Sequence, residues 1–547
     1  MTINKVAAPV KDPSAHVNAM GGMSFTPLNP LAVLRMAAAS CFFGEPKYYA
    51  EDGNGASPKF DRRAQLQASL QLADPSPAFE GLYDVPREKA LETVIDAALA
   101  FDAEGTLRVA NALRNEDHIR VTPQVIMVRA AYHAKVSGTG LIGRYAPWIL
   151  RRADEPATQL AYARQAFRGK PIPNALRKAW ASFLTQQSEY SLAKYRLEAR
   201  QVKTVDVVNL VHPAPTEALG RLVRDELRLN ERTWESIISE NGSTRDAWKR
   251  ARDEVLLHPK GHMALLRNLR NLWAHDLTGP TVYAALTAGA AQGKQLPFRY
   301  YVAYNELRAT SAPSGLLDAL ETCLMLSLGN LPSFKGRVMS LCDNSGSAQR
   351  GMVSELGSSK ISTLSNLSGV LTGHVSEDGH VGVFGDKLST LAIRKGSSVF
   401  DQVDACEQLA QDIGMSTEHG IWLFFDQALR NKEHWDHVFI YSDMQAGHGE
   451  LYGVDPCAYA AFRSKEGSRR NLDVAKLVAR YHRTVNPRAL FYMVQMAGYQ
   501  DTLLPEYYRR AVILGGWGPG ILSFAQAMGK TWDAADEETP GSPGAPA

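Results

Sequence analysis

The chain has 547 residues, of which 45% are hydrophobic and 21% are charged, and these fractions exclude a wholly disordered chain. The net charge of +3 is unevenly distributed, because residues 101–300 carry 30 Lys and Arg against 19 Asp and Glu, whereas residues 301–547 carry 21 against 27. This asymmetry predicts a polyanionic ligand for the middle of the chain and a different ligand, such as a cation, for the rest.

Residues 1–20 lack the apolar stretch that a signal peptide needs, and we expect a flexible segment there. No later run approaches the roughly 20 apolar residues that span a bilayer. The five cysteines lack the close pairing of a zinc ribbon or of a disulfide framework. These features indicate a cytoplasmic protein that contacts no membrane.

Residues 21–332 are predicted to form a helical-repeat unit. Leu-, Ala- and Arg-rich stretches follow one another there, with short Pro or Gly interruptions. Many helices of similar length joined by short turns favour a bundle or a solenoid, in which each helical pair buries its apolar face on the next. We find no strict sequence repeat, so the solenoid is inferred from the number of helices.

Residues 333–532 are predicted to form a doubly wound α/β unit. Apolar strands are expected at 336–342, 380–386, 437–443, 489–498 and 511–516, with helical segments between them. Strands that are apolar throughout are typical of a parallel sheet buried on both faces. Residues 533–547 are acidic and then rich in Pro and Gly, which predicts a disordered tail. The expected fold class is therefore mainly α followed by α/β.

Oxygen-bearing side chains follow three predicted elements of the α/β unit. The set comprises Asp343, Ser345, Ser347, Thr417 and Asp443. Ligands of open α/β sheets bind at the carboxyl ends of strands, so the set predicts a site for a hard divalent cation, Mg²⁺ or Mn²⁺. Thr417 is the less secure member, because Ser416 lies beside it. Turn formation and helix capping would explain the same residue types without a metal.

The α/β unit and these oxygen-bearing residues resemble the von Willebrand factor A domain and its metal-ion-dependent adhesion site. In that family two serines bind the ion directly, a threonine and two aspartates bind it directly or through water, and a partner's carboxylate takes an open position. The resemblance implies that Ser345, Ser347 and Thr417 are ligands and that Asp343 and Asp443 complete the shell.

The helical unit resembles the module of the Ro autoantigen family, also called TROVE-domain proteins. The segments 22–53, 174–180, 263–272 and 296–307 carry the resemblance, together with the order of the two units. It implies a ring of HEAT-like helical pairs joined by the A domain. It also implies binding of small Y RNAs on a basic outer surface and of single-stranded 3′ ends of misfolded RNAs in the central hole. Bacterial members work with 3′ exoribonucleases such as polynucleotide phosphorylase in RNA quality control and maturation.

The basic side chains of the helical unit agree with RNA binding. The candidates are Arg164, Arg168, Arg177, Lys178, Lys194, Arg196, Arg200, Arg267 and Arg270. A helical stripe is predicted from Arg221, Arg224 and Arg228, and stacking on unpaired bases is predicted for Tyr132, Tyr145, Trp148 and Tyr195. Such a surface should bind RNA with a steep salt dependence. For any single arginine, a solvated helix face is the simpler explanation.

The resemblance also places Y RNA contacts on two residues of adjacent helices, Lys194 and His212. A family arginine one turn after that lysine falls on Glu198 in an ungapped match. Either Arg196 or Arg200 replaces it or the contact is absent.

Two other functions compete with RNA binding. One is a metal-dependent protein-interaction scaffold, in which the A domain carries the function without RNA. The other is a hydrolase that uses the carboxylates of Asp343 and Asp443. No nucleophile, base and orienting group can be assembled from the sequence, so we expect a binding protein and not an enzyme.

Overall fold

The computed structural model describes residues 15–17, 23–25, 29–39, 87–196, 200–227, 233–293, 295, 297–350, 360–414, 421–444, 474–496, 503–504, 510–515, 521–523 and 525–526. Within these ranges a helical part precedes an α/β part. None of the described helices is long and apolar enough to cross a membrane.

The helical part begins with a short antiparallel hairpin of β1 (Ala15–Val17) and β2 (Met23–Phe25). The first group of helices is α1 (Pro30–Ala39), α2 (Arg87–Phe101), α3 (Ala103–Asn115), α4 (Thr122–Tyr132), α5 (Leu141–Ile149), α6 (Glu155–Ala166), α7 (Asn174–Thr185), α8 (Glu189–Lys194), α9 (Thr204–Val211) and α10 (Glu217–Val223). Side-chain caps start several of them, as where Asp102 accepts a hydrogen bond from the Gly105 amide at the start of α3.

A second group of helices leads into the sheet. It comprises α11 (Trp234–Asn241), α12 (Arg245–Ala251), α13 (His262–Ala274), α14 (Pro280–Gln292), α15 (Pro297–Arg308) and α16 (Ser314–Leu328). A π-helical turn at Arg252–Leu256 and a 3₁₀ turn at Pro259–Gly261 connect α12 to α13. Helix-on-helix packing with short connections is the arrangement predicted for this part of the chain.

The α/β part alternates strands and helices. Its strands are β3 (Phe334–Asp343), β4 (Ser376–Phe384), β5 (Leu388–Ala392), β6 (His437–Ser442), β7 (Leu490–Gln495) and β8 (Ala511–Gly515). Its helices are α17 (Gly346–Arg350), α18 (Ile361–Val375), α19 (Val399–Asp412), α20 (Trp422–Asn431) and α21 (Val474–Thr484).

These strands form one six-stranded sheet in the order β5-β4-β3-β6-β7-β8. All neighbours are parallel except β5, which pairs antiparallel with β4 at one edge. The predicted doubly wound fold is therefore confirmed, with an edge strand that the sequence interpretation lacked. Because β3 and β6 are adjacent and parallel, with Cys342 opposite Tyr441, their carboxyl ends lie side by side.

Three apolar cores hold the molecule together. Helices α1 to α10 share the first core. The second core joins helices α12 to α16 with one face of the sheet, and the third lies between the other face and α20 and α21. Tyr304 of α15 stacks on Phe400 of α19 with ring centroids 3.8 Å apart, so the later helices and the α/β part form one packed body.

The first helix and the last strand lie together. Helix α1 contacts β8, which forms the edge of the sheet opposite β5. This contact brings the two ends of the described chain side by side, whereas an open solenoid would hold them apart. The helical part and the sheet thus close on each other.

Candidate functional site

Four of the five predicted metal ligands meet at the carboxyl end of the sheet. Asp343 ends β3, Ser345 and Ser347 follow it around the start of α17, and Asp443 follows β6. The two serine Oγ atoms are 3.1 Å apart, and Ser347 Oγ donates to Asp443 Oδ2 at 2.7 Å. The fifth residue, Thr417, lies outside the described residues, as does Ser416.

The carboxylates of Asp343 and Asp443 repel each other electrostatically. Burial and the neighbouring negative charge of Asp443 raise the pKa of Asp343 to about 7. Asp343 Oδ1 accepts a hydrogen bond from the Ser345 amide at 2.9 Å, which partly offsets this effect. A divalent cation between these oxygens would remove the repulsion and favour ionised Asp343.

The described residues hold no group of three or more His, Cys, Asp or Glu side chains placed to bind a metal. A cation at the carboxyl end of the sheet would therefore depend on the serine hydroxyls as well as on the two carboxylates. Hydroxyl and carboxylate oxygens are hard ligands of the kind that Mg²⁺ prefers. The donor set therefore fits the expected ion.

Sequence reasoning missed three residues that hold this set in place. Ser442 Oγ donates to Asp343 Oδ2 at 2.5 Å and accepts from the Met444 amide at 3.0 Å. Asn344 and Asn366 are buried and exchange two side-chain hydrogen bonds, of 2.8 and 3.0 Å. Ser442 directly precedes Asp443 and could have been suspected from that position, but nothing local marks Asn366, which lies on α18.

Several predicted RNA contacts are exposed cations. Arg164, Arg168, Lys178 and Arg267 are exposed, and no carboxylate pairs with them within the described part of the chain. Burial, and then the positive charge of Arg267, lower the pKa of the Arg299 guanidinium. The charge of Arg267 thus acts on Arg299, and like charges on α13 and α15 favour an anion there.

Other predicted contacts are occupied within the fold. Arg196 pairs with Asp225 at 3.2 Å and also donates to the Leu227 carbonyl at 2.7 Å. Arg177 donates to the carbonyl of Leu210 at 3.1 Å. These bonds tie neighbouring helices together, so both arginines contribute to structure.

The remaining candidates occupy varied positions. Arg270 lies 3.6 Å from Glu306, and both side chains are exposed. Lys194 lies at the end of α8, where its Nζ is 5.4 Å from the Tyr190 ring centroid and 5.7 Å from that of Tyr195. His212 and Arg200 are exposed, and His212 follows α9 in a left-handed conformation with φ of 47°. Glu198 lies outside the described residues.

The predicted cationic stripe is wrong. Helix α10 ends at Val223, so Arg224 is not on a continuous helix with Arg221. Arg221 pairs with Glu189 and Arg224 pairs with Glu226. Arg228 lies outside the described residues.

Most of the aromatic candidates for base stacking are already engaged. Tyr145 is buried in the first core, and its hydroxyl donates to Glu104 at 3.2 Å. Tyr132 stacks on Phe167 with ring centroids 3.9 Å apart. The guanidinium of Arg152 lies 4.2 Å from the centroid of the Tyr195 ring. Of the four candidates, Trp148 keeps a largely exposed ring, with 48% of its surface accessible.

Models of known protein families do not match this chain, and no curated protein matches its sequence. Among solved structures, the crystal structure of the Deinococcus radiodurans Ro (RSR) protein is similar to it, with a TM-score of 0.49 and 15% sequence identity. The match covers 91% of this chain and 99% of that chain.

Proposed function

We propose that the protein is a Ro-type RNA-binding protein that acts by binding and not by catalysis. The observation that carries the proposal is the group of exposed cations without carboxylate partners in the described helical part, Arg164, Arg168, Lys178 and Arg267. The positive charge of Arg267 also reaches Arg299 of α15, and like charges on these two helices favour a polyanion.

The finer form of the proposal follows the sequence resemblance. The ligands are small Y-type RNAs and the single-stranded 3′ ends of misfolded or immature RNAs, and the role is RNA quality control in the cytoplasm. A 3′ exoribonuclease such as polynucleotide phosphorylase is the proposed protein partner. These statements rest on the resemblance of the segments named above and not on any contact of the described residues.

The α/β part is proposed to bind a divalent cation, Mg²⁺ before Mn²⁺. Asp343, Ser345, Ser347 and Asp443 would hold it, because their oxygens converge and two carboxylates repel each other without it. Thr417 completes the proposed ligand set. The cation would supply a position for a carboxylate of the partner protein, which gives this part of the chain a separate binding role.

Binding of a tailed duplex tests the RNA proposal. We expect the purified, nuclease-treated protein to prefer a duplex with a single-stranded 3′ tail over a blunt duplex, with affinity that falls steeply between about 50 and 200 mM salt. Equal and feeble binding of both probes would contradict the proposal and favour the protein-interaction scaffold.

Paired variants test the surface itself. Arg267→Gln should weaken binding and reduce the salt slope by nearly one unit, because one phosphate contact is lost. The matched control is Arg250→Gln, since Arg250 is an exposed arginine that pairs with Glu254 at 2.8 Å. Equal effects of the two variants would contradict the assignment of Arg267 to the RNA surface.

A further inference from the structure

A cleft of about 670 Å³ lies between α5 and α7. One wall is formed by residues 137–147, the loop and first turns of α5, and the other by residues 173–186 of α7. A volume in this range is typical of sites for small organic ligands. This α5–α7 cleft includes Lys178, one of the exposed cations described above.

Glycines leave open space on the α5 side of the cleft. Residues 138–143 have the sequence GTGLIG, and a Cβ atom added at any of the three glycines would meet no atom within 4 Å. Gly138 and Gly140 have φ of 77° and 76°, the left-handed region that favours glycine. Gly143 lies in the helix without positive φ, so the backbone does not require a glycine there. A side chain at this position would therefore extend into open space at the cleft.

The lining of the cleft offers partners for a base and for a phosphate. Phe183 is a half-exposed aromatic ring on which a base can stack. Asn174 and Gln186 are exposed amides, which carry the donor and acceptor groups that read base edges. Lys178 is the single charged side chain among the lining residues, so the cleft favours a ligand with negative charge.

The amino-terminal turns of α5 and α7 are compatible with an anionic ligand. Neither α5 nor α7 carries an acidic residue in its first turn, and neither receives a side-chain cap. None of the residues that line the cleft is acidic either, so a phosphate bound there would meet no negative charge among them.

We propose that the α5–α7 cleft binds one nucleotide of a single-stranded RNA, with its base on Phe183 and its phosphate near Lys178. The inference rests on the proposed RNA-binding function and adds the place where one unpaired base is held. In a duplex the bases remain stacked and paired, so only an unpaired segment can present a base to the cleft.

The test places a larger side chain at Gly143, so that it occupies the open space of the cleft. Fluorescence anisotropy would measure binding of a labelled single-stranded RNA oligonucleotide to wild type, Gly143→Leu and Gly396→Leu. Gly396 is the matched control, because it is an exposed glycine of the α/β part with open space around it and no positive φ. We expect Gly143→Leu to bind the oligonucleotide at least about fivefold more weakly, the loss of one base-stacking contact, and Gly396→Leu to match wild type. A blunt duplex should bind equally to all three.

Further variants and a crosslinking experiment distinguish a filled cleft from a misfolded protein and locate the ligand. Gly143→Ala adds a single methyl group and should show a smaller loss of the same kind, while Lys178→Gln should weaken binding and reduce its salt dependence. An oligonucleotide with 4-thiouridine should form a photo-crosslink within residues 173–186 in wild type, and the yield should fall in Gly143→Leu with circular dichroism unchanged.

The outcomes separate this inference from the broader function. Unchanged oligonucleotide affinity in Gly143→Leu would overturn the cleft assignment while leaving RNA binding intact. If wild type binds no RNA at all, both proposals fail. The free nucleotide AMP forms a separate arm of the experiment. Binding of AMP that Gly143→Leu abolishes, without a change in oligonucleotide affinity, would show that the cleft takes free nucleotides and would overturn the inference about the strand.

Discussion

Ser347 and Asp443, which lie 96 positions apart in the sequence, meet in a hydrogen bond of 2.7 Å. The bond joins the loop after β3 to the loop after β6, which are brought together by the parallel pairing of those strands. The hydroxyl proton of Ser347 thereby satisfies one oxygen of Asp443. A cation bound by both residues would replace this hydrogen bond, so cation binding and the pairing of the two loops are coupled.

Removing one carboxylate charge from this site should have opposite effects with and without metal. Asp343→Asn is expected to raise the free energy of unfolding in chelator at pH 8 by about 2 kcal/mol, because burial and Asp443 disfavour the ionised form. The same variant should lose the stabilisation that wild type gains from Mg²⁺. Thermal unfolding with EDTA and with excess MgCl₂ measures both effects.

The pH dependence of stability tests independently whether the charge of Asp343 destabilises the metal-free protein. The pKa of Asp343 is raised in the folded protein, so metal-free wild type should lose stability relative to Asp343→Asn as the pH rises from about 4 to 7. Asp404→Asn serves as the control, since Asp404 lies on α19 in an ion pair with Arg308. If Asp343→Asn kept the full response to Mg²⁺, the proposed cation site would be wrong.

The amide pair behind the site should be important for stability. Asn366→Ala would remove two buried hydrogen bonds from Asn344, and an unsatisfied buried group costs about 1–3 kcal/mol. We expect a loss of about 3 kcal/mol in urea unfolding, together with weaker binding of Mg²⁺. The control is Asn111→Ala, which removes an exposed bond to Asn115 and should cost less than about 1 kcal/mol. Similar losses in both variants would contradict a special role for the buried pair.

The sequence was sufficient for the strands that contain a largely apolar run. Strands β3, β4, β6, β7 and β8 were all predicted, because burial on both faces of the sheet leaves such a run in each, although β3 and β4 begin with polar residues. Strand β5 was missed since it is an edge strand with half-exposed residues, and its sequence LSTLA carries no such run.

The contacts of side chains were harder to predict because they are not local. Arg196 looked like a free cation, but its partners Asp225 and Leu227 lie about 30 positions away. Tyr145 follows Arg144 in the sequence, and both side chains donate to Glu104, yet Tyr145 is buried in the first core while Arg144 is exposed. Asn366 belongs to the site only through the packing of α18 against β3.

The junction between α15 and α19 should depend on packing more than on charge. Phe400→Ala would empty a buried position against Tyr304 and is expected to cost about 3–5 kcal/mol. Arg308→Gln removes a pair of 2.6 Å with Asp404 in which both side chains are solvent-accessible, and it should cost at most about 1 kcal/mol. Urea unfolding of the two variants measures the difference. A larger loss for Arg308→Gln would show that the ion pair dominates this junction.

A buried histidine should make the α/β part sensitive to acid. His374 Nε2 accepts a hydrogen bond of 2.9 Å from the Gln402 amide, whose orientation is fixed because its Oε1 accepts from the Arg394 amide. Nε2 therefore carries no proton. Burial, with a smaller contribution from the charge of Lys395, lowers the pKa of His374 to about 4.

The direction of the pH effect on stability follows because His374 binds a proton more tightly in the unfolded chain than in the folded protein. The unfolded chain binds a proton at His374 near pH 6.5 and the folded protein only near pH 4, so protonation favours unfolding between these values. We expect wild type to lose up to about 3 kcal/mol more stability than His374→Leu as the pH falls through this range. Urea unfolding at pH 7, 6, 5 and 4.5 measures the slope, and His434→Leu is the control because His434 is exposed. Equal slopes in wild type and His374→Leu would mean that other groups cause the acid sensitivity.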